Sequence, residues 1–451
     1  MRDLTNYFKK IKDDPYIIFM LGFATIILTG AIILNLPISS QNGKSVGFIN
    51  ALFTATSATC VTGLTVVNTA QHWTVFGKFI IILLIQMGGL GVMTMTAMIS
   101  FFFGKRISLK TRIFIMEERN VDELQGVVRL TKYIVIYTFL VELAGAFLLS
   151  FAFIPDYGVT KGIAFSLFHS ISAFCNAGFD LVGDSMVIYV DNPIITFTIC
   201  SLIVIGGLGF FVFLDIKASK NFNRLTLHTK LVLIITGILL VGGTIVIFLL
   251  EYNNPGTLGN LTLSGKIQAS VFQAVVPRTA GYYSLHLEEL RVPTVFLTII
   301  LMFIGGSSAS TAGGIKTTTA GVIAIAIFNY VRGKRDIEVF EKRITLETVM
   351  KAIAIIGLSA FIITIVAFIL TISESITGFS FLDILFETTS AFGTVGSTRG
   401  LTPVLSGLGK ALLSIVMYIG RVGPLTIAFA FMKERKNIGN YMYPEGKIII
   451  G

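Results

Sequence analysis

Charge is scarce in this sequence. Only 13% of its 451 residues are Asp, Glu, Lys or Arg, against 54% that are hydrophobic, and the mean hydropathy is +0.82. A soluble domain of this length needs a charged, hydrated surface that this composition does not supply, so a membrane protein is expected. Cysteine is scarce as well. Cys60, Cys175 and Cys200 form no CxxC pair and are odd in number, which argues against a disulfide framework and for free, buried thiols. The four histidines, His72, His169, His228 and His286, are scattered and form no HExxH, so a catalytic or transition-metal site is not expected. The sequence offers no paired catalytic carboxylates and no nucleophile beside a base, and the protein is not expected to be an enzyme.

Long apolar runs are abundant. A hydrocarbon core about 30 Å thick takes about 20 apolar residues in a helix. Eight stretches meet that requirement: 16–36, 76–103, 134–154, 194–214, 231–250, 294–328, 350–372 and 411–431. The first is longer than a signal-peptide core and lacks a clear small-residue cleavage site, so it reads as a retained helix. Within each successive pair lies a shorter apolar segment, at 48–58, 162–174, 267–276 and 381–392, each followed by a glycine-bearing turn. These are too short to cross as helices and read as re-entrant loops, which need protein or a water-filled cavity around them.

The basic residues set the orientation. Arg2, Lys9, Lys10 and Lys12 precede the first span, and Lys105, Arg106, Lys110, Arg112 and Arg119 follow the second. Lys217, Lys220, Arg224 and Lys230 follow the fourth, Arg332, Lys334, Arg335, Lys342 and Arg343 the sixth, and Lys433, Arg435 and Lys436 the eighth. Eight crossings put all of them on one side, with both termini cytoplasmic. The other side carries Asp156, Asp180, Asp184, Asp191, Glu288 and Glu289. The net charge of +10 is therefore a topology signal, and no nucleic-acid partner is expected.

Three of the short segments share L-F-x-x-x-S-A-x-x-x-x-G: Leu52-Phe53 with Ser57-Ala58 and Gly63, Leu167-Phe168 with Ser172-Ala173 and Gly178, and Leu385-Phe386 with Ser390-Ala391 and Gly396. The fourth is degenerate, with Val271-Phe272 followed by Arg278-Thr279-Ala280-Gly281. The span after each loop carries a glycine pair or its relic, at Gly88-Gly89, Gly206-Gly207, Gly305-Gly306 and Gly420-Arg421. The glycine pairs alone fit ordinary helix packing. The fourfold order of span, short helix, glycine turn and span does not, and it dominates the fold reading. That reading is an all-α membrane protein of eight transmembrane helices in four helix–re-entrant loop–helix repeats, 1–104, 105–219, 220–335 and 336–451, forming one pore domain.

A dehydrated cation needs replacement oxygens, and an extended backbone held close to an axis by glycine supplies them. The expected walls are Val61-Thr62-Gly63, Asn176-Ala177-Gly178, Thr279-Ala280-Gly281 and Thr394-Val395-Gly396. No carboxylate sits within these turns, and the short helices aim their negative C-terminal ends at the cavity, which favours a cation. A second break is expected in the sixth span, where Gly305-Gly306-Ser307-Ser308 leads to Gly313-Gly314-Ile315-Lys316. So much Gly and Ser breaks a helix. A phosphate-loop reading fails because no Gly-Lys adjacency is present and no strand precedes it. Arg421 at membrane depth is a functional candidate, a latch bonding to carbonyls of that loop, with a bridge to Glu387 as the structural alternative. Lys316 is either part of the gate or a snorkelling lysine. Arg278 is expected to be held off the axis by acids of the outer vestibule.

With these turns in place, the chain resembles the Trk/Ktr/HKT superfamily of K⁺ transporters along nearly its whole length, and most of all the membrane subunits of bacterial Ktr systems. The resemblance implies a pseudo-fourfold pore for K⁺ made by one chain, with an intramembrane gate in the third repeat. It also implies a plasma-membrane homodimer in contact with lipid, Na⁺-stimulated K⁺ uptake, no covalent cofactor, and a cytoplasmic RCK-type nucleotide-binding ring (KtrA-like) through which ATP or ADP acts. Members with Ser in the first loop tend towards Na⁺, and Gly63 therefore points to K⁺. The competing reading is a secondary transporter with a midplane solute site.

Overall fold

The computed structural model describes residues 15–91, Thr94 and 127–431. The expected basic clusters before the first span, after the second span and at the C-terminus lie outside the described residues, as does the distal part of the second span.

In chain order the principal helices are α1 (Pro15–Leu34), α2 (Phe48–Thr59), α3 (Val75–Leu90), α4 (Val127–Tyr157), α5 (Val159–Phe174), α6 (Pro193–Leu208), α7 (Phe210–Ser219), α8 (Leu227–Glu251), α9 (Leu263–Val275), α10 (Val292–Phe303) and α11 (Thr317–Val331). A two-stranded antiparallel hairpin follows, Ile337–Val339 against Lys342–Ile344. The chain then continues through α12 (Leu346–Ser373), α13 (Phe381–Gly393), α14 (Gly407–Val422) and α15 (Pro424–Phe431). Four of these are long and apolar enough to cross a membrane: α1, α4, α8 and α12. Their outward faces carry bare apolar side chains such as Phe147 and Phe368, which suits lipid rather than water. Polar residues set the starts of several helices. Thr226, Thr345 and Ser406 each accept an amide proton as N-caps of α8, α12 and α14, and Ser380 and Asp383 close a capping box at α13.

The short helices α2, α5, α9 and α13 lie inside, each packed against the long helix before it. Their C-terminal halves are buried, including Ala58, Phe174, Phe272 and Phe392. The second, fourth and eighth spans depart from the expectation of unbroken helices, whereas the sixth breaks where its Gly and Ser content predicts. α3 ends at Gly91 (φ 86°), α6 gives way to α7 at Gly209 (φ 96°) with an 87° bend, and α14 gives way to α15 at Gly423 (φ 97°). Each of these glycines takes a left-handed conformation that side chains rarely adopt. Between α10 and α11 the break widens into a loop, 304–316, whose ends meet in a parallel bridge between Ile304 and Ile315.

Candidate functional site

The turns after α2, α5, α9 and α13 have one backbone shape. In each, a non-glycine residue at positive φ precedes by two a glycine at positive φ: Val61 (58°) and Gly63 (96°), Asn176 (61°) and Gly178 (69°), Thr279 (71°) and Gly281 (69°), Thr394 (51°) and Gly396 (92°). The shared Ser of the sequence pattern explains how three of these turns are held. Ser57 Oγ accepts from Gly63 N at 3.0 Å, Ser390 Oγ accepts from Gly396 N at 3.1 Å, and Ser172 Oγ donates to Phe179 O at 2.8 Å. Backbone bonds reinforce them, from Thr62 N to Ser57 O, Ala177 N to Ser172 O and Val395 N to Ser390 O. The third turn has no such serine and closes through Ala280 N to Val276 O at 3.0 Å.

The four turns converge. A Cβ added to Gly63 would lie 2.5 Å from Ala177 O, one on Gly178 2.6 Å from Ala280 O, and one on Gly281 2.7 Å from Val395 O. One on Gly396 would collide with Thr62 O, closing the cycle. The carbonyls before the glycines thus form a ring in which each faces the glycine of the preceding turn. A cavity of about 350 Å³ is lined by all four glycines together with Asp180, Asp184, His286 and Glu288. Burial pushes the Asp180 carboxyl above its ordinary value, with the Gly183 amide, 2.6 Å away, partly offsetting the rise. Among the described residues no cluster of His, Cys, Asp and Glu suits a metal site.

The glycine pairs are more than packing. A Cβ on Gly88 would collide with Thr59 O, on Gly206 with Phe174 O, and on Gly420 with Phe392 O, so each lets a helix touch the end of a short helix.

The loop 304–316 packs against three of the same turns. A Cβ on Gly305 would meet Thr279 Cγ2 at 3.2 Å, one on Gly313 would collide with Thr394 Oγ1, and one on Gly314 would meet Gly393 Cα at 3.2 Å. Gly306 O accepts from Thr317 N, and Ser307 N and Thr311 N donate to Gly207 O and Gly206 O at the end of α6. The Ser307 and Thr317 hydroxyls pair at 2.9 Å and those of Ser308 and Thr318 at 3.2 Å. Arg421 donates to Thr311 O and to Gly88 O, with Gly89 O at 3.4 Å. Lys316 curls back onto Ala312 O at 2.7 Å rather than extending away. Glu387 instead takes the hydroxyl of Thr402. Arg278 is buried, and among the described residues no ion pair joins it to the vestibule acids expected to hold it. The vestibule is braced elsewhere, by Arg399. Its guanidinium reaches Asp383 at 2.7 Å and the carbonyl oxygens of Leu287 at 2.7 Å and Glu288 at 3.3 Å. Burial opposes ionisation of Asp383, but the Ser380 hydroxyl and Arg399 outweigh it and hold the carboxyl below its ordinary value of 3.8. Arg399 and Thr311 carry no repeat signature and are not among the residues singled out from sequence.

The model of the TrkH family, described as cation transport protein, matches residues 12–440. The chain is 45% identical over 443 residues to the Ktr system potassium uptake protein B of Bacillus subtilis, covering 98% of each. It is 42% identical over 440 residues to the potassium/sodium uptake protein NtpJ of Enterococcus hirae, covering 97% of each. Among solved structures, the potassium transporter TrkH from Vibrio parahaemolyticus superposes with a TM-score of 0.72 at 18% identity, covering 93% of this chain and 85% of that one; at that identity the likeness speaks for the fold. With a family model across most of its length and relatives above 40% identity, the chain belongs to the TrkH family of cation transport proteins, multi-pass transporters rather than enzymes.

Proposed function

We propose that the protein is the ion-translocating subunit of a K⁺ uptake system. Four helix–re-entrant loop–helix repeats, bounded at 1–104, 105–219, 220–335 and 336–451, surround one pseudo-fourfold axis with eight crossings. The cyclic contact of each ring glycine with the next turn's carbonyl carries this reading, and the potassium uptake named for the B. subtilis and E. hirae relatives supports it. The filter comprises Val61-Thr62-Gly63, Asn176-Ala177-Gly178, Thr279-Ala280-Gly281 and Thr394-Val395-Gly396, whose carbonyls replace the ion's water. The inner loop is the gate, with Gly305, Gly306, Ser307, Ser308, Gly313, Gly314 and Lys316 in it and Arg421 as the latch that places a positive charge beneath the filter. The protein works as a plasma-membrane homodimer with both termini in the cytoplasm. A Na⁺-stimulated cycle and a nucleotide-binding cytoplasmic ring regulate it, so that ATP or ADP acts only through that partner; the Ktr system name of its relatives supports a partner subunit.

The test is Rb⁺ uptake into proteoliposomes with K⁺, Na⁺ and organic solutes as competitors. K⁺ is expected to compete, Na⁺ weakly and organic solutes not at all; competition by an organic solute favours a midplane-site carrier instead. Gly63→Ser is expected to lower the K⁺/Na⁺ ratio about ten-fold, because a Cβ there sits 2.5 Å from Ala177 O at φ +96° and displaces two walls by an amount worth about 1–2 kcal/mol.

A further inference from the structure

The filter and the inner loop are joined by one side-chain pair. The single hydroxyl proton of Thr311 is shared between two acceptors, Asn176 Oδ1 at 3.1 Å and Phe174 O, the last carbonyl of α5, at 3.1 Å. Asn176 Nδ2 donates across to the third turn, to Arg278 O at 3.2 Å and Thr279 Oγ1 at 3.3 Å. The amide orientation follows from chemistry. Arg278 O only accepts, so the NH₂ must face the third turn and the amide oxygen must face Thr311. Asn176 and Thr311 are both fully buried, so water does not replace either bond. Gly206 makes room for the pair: a Cβ there would lie 2.8 Å from Asn176 Oδ1 and 2.9 Å from Thr311 Oγ1. The matching positions of the other turns are Val61, Thr279 and Thr394, none of which carries an amide that both donates and accepts. Thr311 is also the loop residue whose carbonyl Arg421 holds. Arg421, Thr311, Asn176 and Thr279 therefore make one hydrogen-bonded line from the latch to two walls of the ring.

We propose that Thr311 is a positioning residue of the filter: with the loop in place its hydroxyl, acting through Asn176, fixes the second and third turns, so that the state of the gate sets ion selectivity. This rests on the filter-and-gate reading above. Displacing the loop frees Asn176, loosens two of four walls and lowers K⁺ preference while flux rises.

The experiment measures the K⁺/Na⁺ ratio by Rb⁺ uptake competition in proteoliposomes of the full-length protein, for Thr311→Val, Thr311→Ser and Gly63→Ser. Thr311→Val keeps the shape and removes the hydroxyl, and its ratio is expected to fall about five-fold, the order of one buried hydrogen bond. Thr311→Ser, which keeps the hydroxyl, is expected to stay within about two-fold of native by the same reasoning. A shift with Gly63→Ser but none with Thr311→Val overturns the coupling and leaves the filter reading intact. Equal shifts with Val and Ser also overturn it, since packing would then be the cause. No shift with any variant sinks the filter reading itself, and the coupling with it. If Thr311→Val yields no monodisperse protein, Thr311→Ala takes its place under the same criteria.

Discussion

The ring turns and the inner loop are both interruptions of helix deep in the protein, yet they are held in opposite ways. Three of the four ring turns find their partners within seven residues of themselves: Ser57 holds Gly63, Ser172 holds Phe179 and Ser390 holds Gly396. The inner loop closes on itself through Ser307–Thr317 and Lys316–Ala312, but distant chain ties it to the rest of the protein, with Ser307 bonded to Gly207, Thr311 to Gly206 and Asn176, and Arg421 to Thr311. Local bonds form with the helix that precedes them and break only when it does. Long-range bonds depend on how separate segments sit, so they release together when a segment moves. The difference suits the filter and gate proposed above: the first and fourth turns are braced locally, while the second and third are also tied to the loop through Asn176.

Several changes break or sharpen that contrast. The largest effect is expected from Arg421→Ala. It removes the donor to Thr311 O, Gly88 O and Gly89 O at once, and basal Rb⁺ uptake should rise at least about ten-fold, as the loss of charge-assisted bonds worth about 1.5–3 kcal/mol each implies. Unchanged uptake would remove the latch role. Next comes Ser57→Ala, which strips one local brace from Gly63 N. The K⁺/Na⁺ ratio should fall by about five-fold, on the scale of a single buried hydrogen bond. A rise in flux with an intact ratio would show that the local and long-range braces are not divided as described. The smallest effect is expected from Arg399→Gln at the outer rim, where Asp383 and Arg399 are each only 16% exposed. The melting temperature should drop by roughly 1–3 °C. The sign of its pH dependence is fixed: Asp383 is held below 3.8 when folded, so its contribution is present above that value and fades as pH falls through the folded pKa. The gap between native and Arg399→Gln should therefore narrow in acid.

The same contrast decides what the sequence makes legible. The ring turns repeat, and their serine and glycine recur at fixed spacing because each brace is local; the L-F-x-x-x-S-A-x-x-x-x-G pattern is the chemical record of Ser57 and Ser390 accepting glycine amides. The long helices read correctly from apolar length. The breaks at Gly209 and Gly423 did not, because a glycine beside Gly206-Gly207 or Gly420 in an apolar run looks the same whether it packs a helix or ends one; only its positive φ tells them apart. The loop at 304–316 was visible through its Gly and Ser content. The part played by Thr311 was not, since its partner Asn176 lies 135 residues away and no period connects them. Arg278 is expected to be held by the acids of the vestibule, but two of those acids serve other donors: Asp180 takes Gly183 N and Asp184 takes the hydroxyl of Tyr283.

Anomalous scattering from crystals grown with Tl⁺ or Rb⁺ is the most direct examination of the ring. A peak is predicted on the common axis of the four turns, within oxygen-coordination distance of the carbonyls of Thr62, Ala177, Ala280 and Val395. An empty axis, or ions bound only at a site away from these oxygens, would contradict the account.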